Sequence, residues 1–379
     1  MPMPTRQESA LLLGCVLLLA LLLAHNWNSA TGLTSLIQFG QNFETRRVPA
    51  LTGVPHATYA TTGYDGQFYA QIALDPALRS SAYQTALDEP RYRARRIFLP
   101  ALGYLAGAGQ PEAIIACFPY LNIAFWLGLL GLLVAATRPF PFLHRAAVIA
   151  AMLFSTGALE SVRLCLTDLP MATFAFAGAY MIWRNRLPRG ALLLACACLT
   201  RETGLLAAAA CFAEPHRRAW PRNLTRLALT ILPALLWFAW VGHRFPDATQ
   251  PLGRDNFSPP FFAMVERLAA AVHVLAGRIS IQEIFTFVAV FSLLVQMFYL
   301  FRRPDWAHPL WRLGAAFALL LPFLGPAVWE VHMAACRLLL PMTFAFNWLL
   351  LAERGRPYWN WFAAGNIYAL YGAIKILLV

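Results

Sequence analysis

Apolar residues run in long blocks along this chain, separated by shorter polar segments. Ala10–Ala24, Ile114–Ala136 and Ile281–Phe301 are almost free of charge. Each approaches or exceeds the roughly 20 residues that a helix needs to cross the ~30 Å hydrocarbon core of a bilayer. The pattern therefore predicts an all-α, polytopic integral membrane protein.

Composition and charge agree with this prediction. Of 379 residues, 59% are apolar and 13% are charged, whereas a soluble domain carries about 25% charged residues. The richness in Leu, Phe and Trp also excludes a disordered chain. The net charge of +12 comes from short clusters between apolar blocks, such as Arg184–Arg189 and Arg217–Arg226. Such clusters are typical of cytoplasmic loops, so we expect a membrane and no nucleic acid as partner.

The seven cysteines give no sign of a metal site. They lie in or beside apolar segments, and Cys196-x-Cys198 has neither a second pair nor a nearby His. Zinc sites of this kind need both halves, so these cysteines are interpreted as small apolar residues in packed helices. No metal and no cofactor are expected.

The polar segments predict the topology of one transmembrane domain, residues 1–379, without internal repeats. Ala10–Ala24 is interpreted as a signal anchor with a cytoplasmic N-terminus. The long polar stretch 26–111 would follow as an outer loop, because long loops escape the positive-inside rule. Within it, Ile97–Gly109 is too short to span and is expected at the interface. Pro111 is well placed to begin the next helix.

Further spans are predicted from the remaining apolar blocks. Residues 191–213 are apolar except for Arg201 and Glu202 at their centre. One helix would bury both charges in the membrane, so two short helices that meet at this pair are favoured. About eleven helical elements result. The other predicted spans are 112–136, 144–160, 166–183, 225–243, 280–301, 311–329, 338–352 and 359–378.

Two candidate sites fall in the first outer loop. Asp65 lies in the turn Gly63–Tyr69, where its carboxylate would either carry chemistry or only cap the following helix. The run Arg91–Arg96 contains four arginines beside an apolar segment. These would bind a lipid phosphate or serve as general anchors to anionic headgroups.

Three more charged groups are expected near the same membrane face. Glu160 and Arg163 stand three residues apart and can pair on a helix, and Asp168 either joins them or caps a helix. The second group is Arg201 with Glu202, which in the simpler interpretation form only a structural ion pair. The third group is Glu330, His332 and Arg337. It lies between two apolar helices, where charge is costly unless it is paired or meets a polar ligand.

Together these groups mix carboxylates with arginines at one face. Arginines suit an anionic phosphate, and a carboxylate suits removal of a proton from a hydroxyl. Transfer of a sugar from a lipid-phosphate donor needs this combination. Since phosphate is already a good leaving group, one carboxylate acting on the acceptor would give inversion at the anomeric carbon.

Three short motifs resemble the GT-C superfamily of polytopic glycosyltransferases that use polyprenyl-phosphate sugars. They are Tyr64-Asp65-Gly66-Gln67-Phe68-Tyr69, Arg95-Arg96-x-x-x-Pro100 and Leu199-Thr200-Arg201-Glu202-Thr203-Gly204. The chain is especially similar to bacterial members linked to cell-surface glycopolymer formation. The resemblance implies a GT-C-like fold with a long first outer loop and an inverting transfer to a glycan, lipid or glycopolymer acceptor.

The resemblance also implies roles for individual residues. Asp65 would be the catalytic aspartate, and Glu160 or Asp168 the second acid. Many relatives carry paired acids in the first loop, but Asp65 stands alone, which leaves a two-acid or metal-dependent mechanism in doubt. The expected substrate-binding residues are Tyr64, Gln67, Arg95, Arg96, Glu160, Arg163, Asp168, Arg201, Glu202, Glu330, His332 and Arg337.

Two other functions fit part of the pattern. A flippase for lipid-linked sugars also needs acids and arginines among its helices, but transporters place them near the midplane and show repeats. A polymer ligase would need a larger late outer loop than the modest Gly242–Gly277. The enzyme is favoured, in a bacterial inner membrane with its site facing the periplasm.

Overall fold

The computed structural model describes residues 5–212, 220–246, 254–330, 332–353, 357–369, 371, 372 and 374. Over these residues the regular secondary structure is helical except for two short parallel strands, β1 (Phe39–Gly40) and β2 (Thr58–Tyr59). The predicted all-α class is confirmed. The helices are α1 (Arg6–Leu23), α2 (Gly66–Leu74), α3 (Tyr83–Ala86), α4 (Pro90–Arg93), α5 (Phe98–Ala106), α6 (Pro111–Ala136), α7 (Phe142–Leu153), α8 (Thr156–Arg163), α9 (Asp168–Trp183), α10 (Leu187–Thr200), α11 (Gly204–Ala207), α12 (Trp220–Arg244), α13 (Phe262–Gly277), α14 (Ile281–Arg302), α15 (Pro309–Leu320), α16 (Pro326–Trp329), α17 (His332–Leu338), α18 (Leu340–Ala352) and α19 (Tyr358–Asn366).

Four helices in the described ranges are long and apolar enough to cross a membrane: α1, α6, α12 and α14. Helices α7 and α8 pass the same test as a pair that bends by 45°. The bend lies at Ser155, whose extended backbone interrupts the helix and whose hydroxyl accepts a hydrogen bond from the Ala158 amide to cap α8. The described chain thus supplies four or five candidate spans, and the count of eleven elements stays a prediction.

Several predicted boundaries agree with the structure and others do not. Helix α6 begins at Pro111, and the break between α10 and α11 falls at Arg201–Glu202, both as predicted. The continuous span predicted over 311–329 is wrong. Helix α15 ends at Leu320, because Pro322 has no amide hydrogen to continue the ladder, and α16 starts separately.

The C-terminal third agrees with prediction in part. The predicted span 338–352 corresponds to α18, which a short break separates from α17. Helix α19 ends at Asn366, inside the predicted span 359–378, and residues 369, 371, 372 and 374 are helical again. Residues 370, 373 and 375–378 of that span, and Arg217 and Arg218 of the predicted basic cluster, lie outside the described residues.

The first long polar stretch is folded onto the helices. Its strands and short helices bury Leu36, Ile37, Phe39 and Tyr69 completely. Helix α2 packs against α5 and α6, so the stretch forms a cap that shares the core of the bundle. It is this cap that carries Asp65 and the arginine run to the cavity described next.

Candidate active site

A cavity of ≈ 530 Å³ lies where the cap meets the ends of α9, α10 and α17. Charged and hydroxyl groups make up much of its wall, although most of the surrounding protein is apolar. Seven of the residues singled out from the sequence line it together: Tyr64, Asp65, Arg96, Asp168, Arg201, Glu330 and Arg337.

Two glycines place Asp65 at the edge of this cavity. Gly63 has φ +71°, a conformation that favours glycine, and it turns the chain into α2. A Cβ on Gly66 would lie 2.4 Å from the Leu164 carbonyl oxygen, so only glycine allows α2 to approach the segment before α9. Asp65 precedes α2, but its side chain makes no capping hydrogen bond. The simple capping role is therefore excluded, and the carboxylate is 30% exposed in the cavity.

Arg93 holds the Asp65 carboxylate in place. Its Nη1 donates to Asp65 Oδ2 at 2.6 Å, while Nε and Nη2 donate to the two oxygens of Asp88 at 2.8 and 2.7 Å. The guanidinium also lies over the Phe68 ring, with its Cζ 5.2 Å from the centroid. Because Asp88 takes two of its donors, Arg93 is fixed even before it contacts Asp65.

Positive charge keeps Asp65 ionised. Burial would raise the pKa of this carboxyl, but the guanidiniums of Arg93, Arg96 and Arg337 outweigh burial and hold the pKa below its ordinary value. Asp65 is therefore an anion at neutral pH and can accept a proton.

Arg96 joins the cap to the break between α10 and α11. Its side chain is 2% exposed and donates from Nε and Nη2 to the carboxylate of Glu202 at 2.9 and 2.5 Å. The hydroxyl of Tyr69 accepts a hydrogen bond from Nη1, and the hydroxyl of Tyr92 accepts one from Nη2. Each nitrogen of the buried guanidinium thus donates at least one hydrogen bond, which offsets the cost of burying its charge.

Arg201 contacts a different carboxylate. Its Nη1 donates to Asp168 Oδ1 at 2.5 Å, and the Asp168 side chain is 2% exposed in the first turn of α9. Arg201 and Glu202 therefore do not form the mutual ion pair that their adjacency suggested. Each binds a partner on another element, because successive residues at a chain break point in different directions. Asp168 likewise makes no capping hydrogen bond, since its carboxylate is taken by Arg201.

Arg337 is the exception among these arginines. It is 8% exposed, lines the cavity and forms no salt bridge with any described residue. Its Nη2 donates to the Tyr64 hydroxyl at 2.9 Å, and its Nε and Nη1 have no hydrogen-bond partner among the described residues. The nearest carboxylates, with the Tyr64 hydroxyl, raise the pKa of Arg337 despite its burial, so the group stays charged. A buried cation without a paired anion is costly and is well suited to bind one.

Other predicted site residues lie outside this cavity. Gln67 is 1% exposed and its amide bonds the backbone, accepting from the Gly40 amide at 3.1 Å and donating to the Thr62 carbonyl at 2.9 Å. Glu160 and Arg163 pair with each other at 2.9 Å, as their spacing predicts, and do not line it. Arg95 and Glu202 line an adjoining apolar groove. The side chain of His332 is outside the described part of the structure.

Tyr92 and Arg93 line the cavity; both lie in the predicted run Arg91–Arg96 but were not among the individual residues expected to bind substrate. Asp88, which the sequence reasoning did not consider, supports the site through its two hydrogen bonds with Arg93. Helical spacing within the run Arg91–Arg96 could have found Arg93, because residues three apart share a face. Arg93 and Arg96 both face the cavity, whereas Arg95 lies over the ring of Phe238 on α12. The partnership of Asp88 with Arg93 has no comparable signal in the sequence.

The Arg96–Glu202 pair gives a prediction for stability. Burial would raise the pKa of Glu202, but Arg96 lowers it to about 2, against 4.5 for the free group. The stabilisation is present above pH 4.5 and is lost as the pH falls towards 2. Glu202→Gln leaves Arg96 buried without a counterion and should lower the free energy of unfolding by about 3–5 kcal/mol at pH 7.

Thermal unfolding in detergent at pH 7 and at pH 3 tests this prediction. Wild type should lose more stability between the two pH values than Glu202→Gln does. Glu112→Gln, an exposed position in the first turn of α6, is the matched control. Equal unfolding midpoints for wild type and Glu202→Gln at pH 7 would contradict a stabilising role for the pair.

No protein-family model, curated protein or solved structure matches this chain. Within the described residues, no group of three or more His, Cys, Asp or Glu side chains is arranged to hold a metal ion.

Proposed function

We propose that this protein is a membrane glycosyltransferase of the GT-C type that moves a sugar from a polyprenyl-phosphate donor to an acceptor hydroxyl. The observation that supports it is that Arg337, whose guanidinium forms no salt bridge with a described residue, lines the same cavity as the ionised carboxylate of Asp65. A donor phosphate would supply the missing anion, and Asp65 would supply the base.

An apolar groove beside the cavity supports a lipid-linked donor. Phe257, Leu320 and Leu324 line it, with Arg95 and Glu202 at its polar side. It shares Tyr92, Arg201, Asn256, Val328 and Leu338 with the main cavity. A molecule with a phosphate at the arginines and a hydrocarbon tail in the groove would satisfy both surfaces. A water-soluble nucleotide sugar would leave the groove empty.

The proposed transfer needs only the donor, the acceptor and side chains of the cavity. Asp65 accepts the proton of the acceptor hydroxyl as its oxygen forms a bond to the anomeric carbon of the donor sugar. The bond from that carbon to the phosphate oxygen breaks, and polyprenyl phosphate leaves with the electron pair. Arg337, with Arg201 beside it, stabilises the charge on the departing phosphate. Attack opposite to the leaving group inverts the anomeric centre.

The apolar helices and the distribution of basic residues support a membrane location and an orientation for the protein. Four or five described helices are of membrane-spanning length, and basic residues cluster in the short segment Arg184–Arg189. Such clusters favour the cytoplasmic side. We therefore propose a multi-pass protein of a bacterial inner membrane whose cavity opens to the periplasm, with a glycan, lipid or glycopolymer as acceptor.

A transfer assay with purified protein tests the function. Radiolabelled polyprenyl-phosphate hexoses and pentoses are added in detergent with candidate glycan and lipid acceptors, and the labelled product is separated from the donor. Donor-dependent labelling of an acceptor, with inversion at the new linkage, is expected. If no donor is consumed and reconstituted vesicles instead move the intact lipid-linked sugar across the bilayer, the protein is a transporter.

A further inference from the structure

Helix α8 lies directly against the backbone that carries Arg337. A Cβ atom on Gly157, in the first turn of α8, would be 2.5 Å from the Cys336 carbonyl oxygen and 2.9 Å from Arg337 Cα. These distances are shorter than a Cβ atom tolerates, so a larger side chain at this position would push α17 away. Gly157 therefore determines how closely Arg337 approaches α8.

The other end of α8 lies against the turn that carries Asp65. The Leu164 carbonyl oxygen, immediately after α8, is the atom that a Cβ on Gly66 would approach to 2.4 Å. Gly66 follows Asp65 in the chain and begins α2. From Gly157 to Leu164 the helix rises by about 10 Å. The contacts that position Asp65 and Arg337 are therefore at opposite ends of one short helix.

The surroundings of α8 hold it in one position. All residues from Thr156 to Val162 are buried. The Thr156 hydroxyl donates to the Tyr368 carbonyl at 2.8 Å, and the Ser161 hydroxyl accepts from the Leu169 amide of α9 at 2.9 Å. Because protein interiors are close-packed, a buried helix with hydrogen bonds to two other segments moves only with the bundle.

The Glu160–Arg163 pair supports α8 from within. Helix α8 has only 8 residues, which is too short for an isolated helix to be stable in water. The two side chains lie one turn apart, 2.9 Å from each other, and neither lines the cavity. Their contact therefore stabilises the last turn of α8, just as the Ser155 cap stabilises the first.

We propose that α8 is a spacer that sets the separation between Asp65 and Arg337, with Gly157 as a positioning residue. The inference rests on the proposed function: a phosphate bound by Arg337 would present the anomeric carbon to Asp65 at a distance that α8 determines. A shift of α17 would also lengthen the 2.9 Å hydrogen bond from Arg337 Nη2 to the Tyr64 hydroxyl, beside Asp65. Gly157 itself touches no reacting atom and acts only through α17.

Gly157→Ala in the full-length protein tests the spacer. The added methyl group should move Arg337 relative to Asp65, and a misplacement of about 1 Å can lower a rate by about 10²-fold. We therefore expect kcat for sugar transfer to fall about 10–100-fold. The inhibition constant of sugar-free polyprenyl phosphate should stay close to the wild-type value, because the guanidinium and the phosphate it binds move together.

Gly66→Ala applies the same test at the other end of α8, and it keeps the proposal testable if Gly157→Ala does not fold. The methyl group would meet the Leu164 carbonyl oxygen and displace Asp65, while Arg337 stays in place. The expected pattern is again a lower kcat with an unchanged inhibition constant. A wild-type kcat in a folded variant at either position would overturn the spacer.

Gly190→Ala is the matched control for close packing. A Cβ on Gly190 would be 2.7 Å from the Gly178 carbonyl oxygen, a contact as close as that of Gly157. Gly190 lies in the first turn of α10, at the end of that helix away from Arg201 and the cavity. Both variants should unfold at a lower temperature than wild type, but Gly190→Ala should keep its kcat. An equal loss of kcat in both variants would assign Gly157 a merely structural role.

A cryo-EM structure of Gly157→Ala separates this inference from the proposed function, because it needs no substrate. The distance between Asp65 Cα and Arg337 Cα should be longer than in wild type. An unchanged distance would overturn the spacer whether or not the protein transfers sugar. A longer distance, in a protein whose wild type transfers sugar from no polyprenyl-phosphate donor, would keep the spacer and overturn the proposed function.

Discussion

Replacing Asp65 by Asn should lower the rate of sugar transfer by about 10²–10⁴-fold, the range for loss of a general base. The amide cannot take the acceptor proton, but it keeps the size of the side chain and can still accept a hydrogen bond from Arg93. Because Asp88 holds two donors of Arg93 independently, the loop should stay in place. The donor KM should therefore change little while kcat falls.

Asp75→Asn is the matched control for this substitution. Asp75 follows α2 on the same cap, its exposed ion-pair partner is Arg79, and it does not line the cavity. Transfer by this variant should equal that of wild type. Full transfer by Asp65→Asn would contradict the assignment of Asp65 as the base. Asp168 would then be the next candidate for the base, because it lines the cavity. Glu160 would follow it, because it is paired with Arg163 outside the cavity.

Replacing Arg337 by Gln should raise the donor KM by about 10–100-fold, since a hydrogen bond to a charged group contributes about 1.5–3 kcal/mol. Arg337→Lys keeps the charge but loses the fork of donors, so an intermediate value is expected. In each variant, the inhibition constant of sugar-free polyprenyl phosphate should rise by about the same factor as the donor KM of that variant. This inhibitor isolates the phosphate contact from contacts to the sugar.

Arg79→Gln provides the matched control for the charge change. Its side chain is 82% exposed and lies outside the cavity, so donor affinity should be unaffected. If Arg337→Gln lowers kcat but leaves the inhibition constant of polyprenyl phosphate unchanged, Arg337 does not bind the donor phosphate in the ground state. A fall in thermal stability without any change in either constant would assign Arg337 a structural role.

Local signals in the sequence predicted much of the helical layout. Pro111 marks a helix start because a first-turn proline needs no hydrogen bond, and the two charges at Arg201–Glu202 mark a break because a continuous apolar helix would bury both. The same reasoning failed at Pro322, where a long apolar stretch suggested one helix and the missing amide hydrogen divides it. A run of apolar residues indicates that a segment is buried, but it does not show that the segment forms one continuous helix.

Partners in the site were predictable only where they are close in the chain. Glu160 and Arg163 are three residues apart, and their pairing follows from helix geometry. Arg96 and Glu202 are 106 residues apart, so their contact depends on how the cap packs against the bundle. Charge type alone indicated an anion site. Only the packing reveals that, of the four described arginines that line the cavity, Arg337 forms no salt bridge with a described residue.

The wide spacing of the site along the chain also fixes the order in which it is completed during synthesis. Asp65 and Arg93 are separated by 28 residues and can meet while the cap alone has emerged from the ribosome. Glu202 follows later, and Arg337 lies 273 residues after Tyr64, its hydrogen-bonding partner. Asp65 thus acquires its arginine partner before Arg337, the residue proposed to bind the donor phosphate, has been made. The nascent protein would hold no donor lipid until α17 has been translated, and the growing chain is thereby kept from capturing substrate before its base and its anion site can act together.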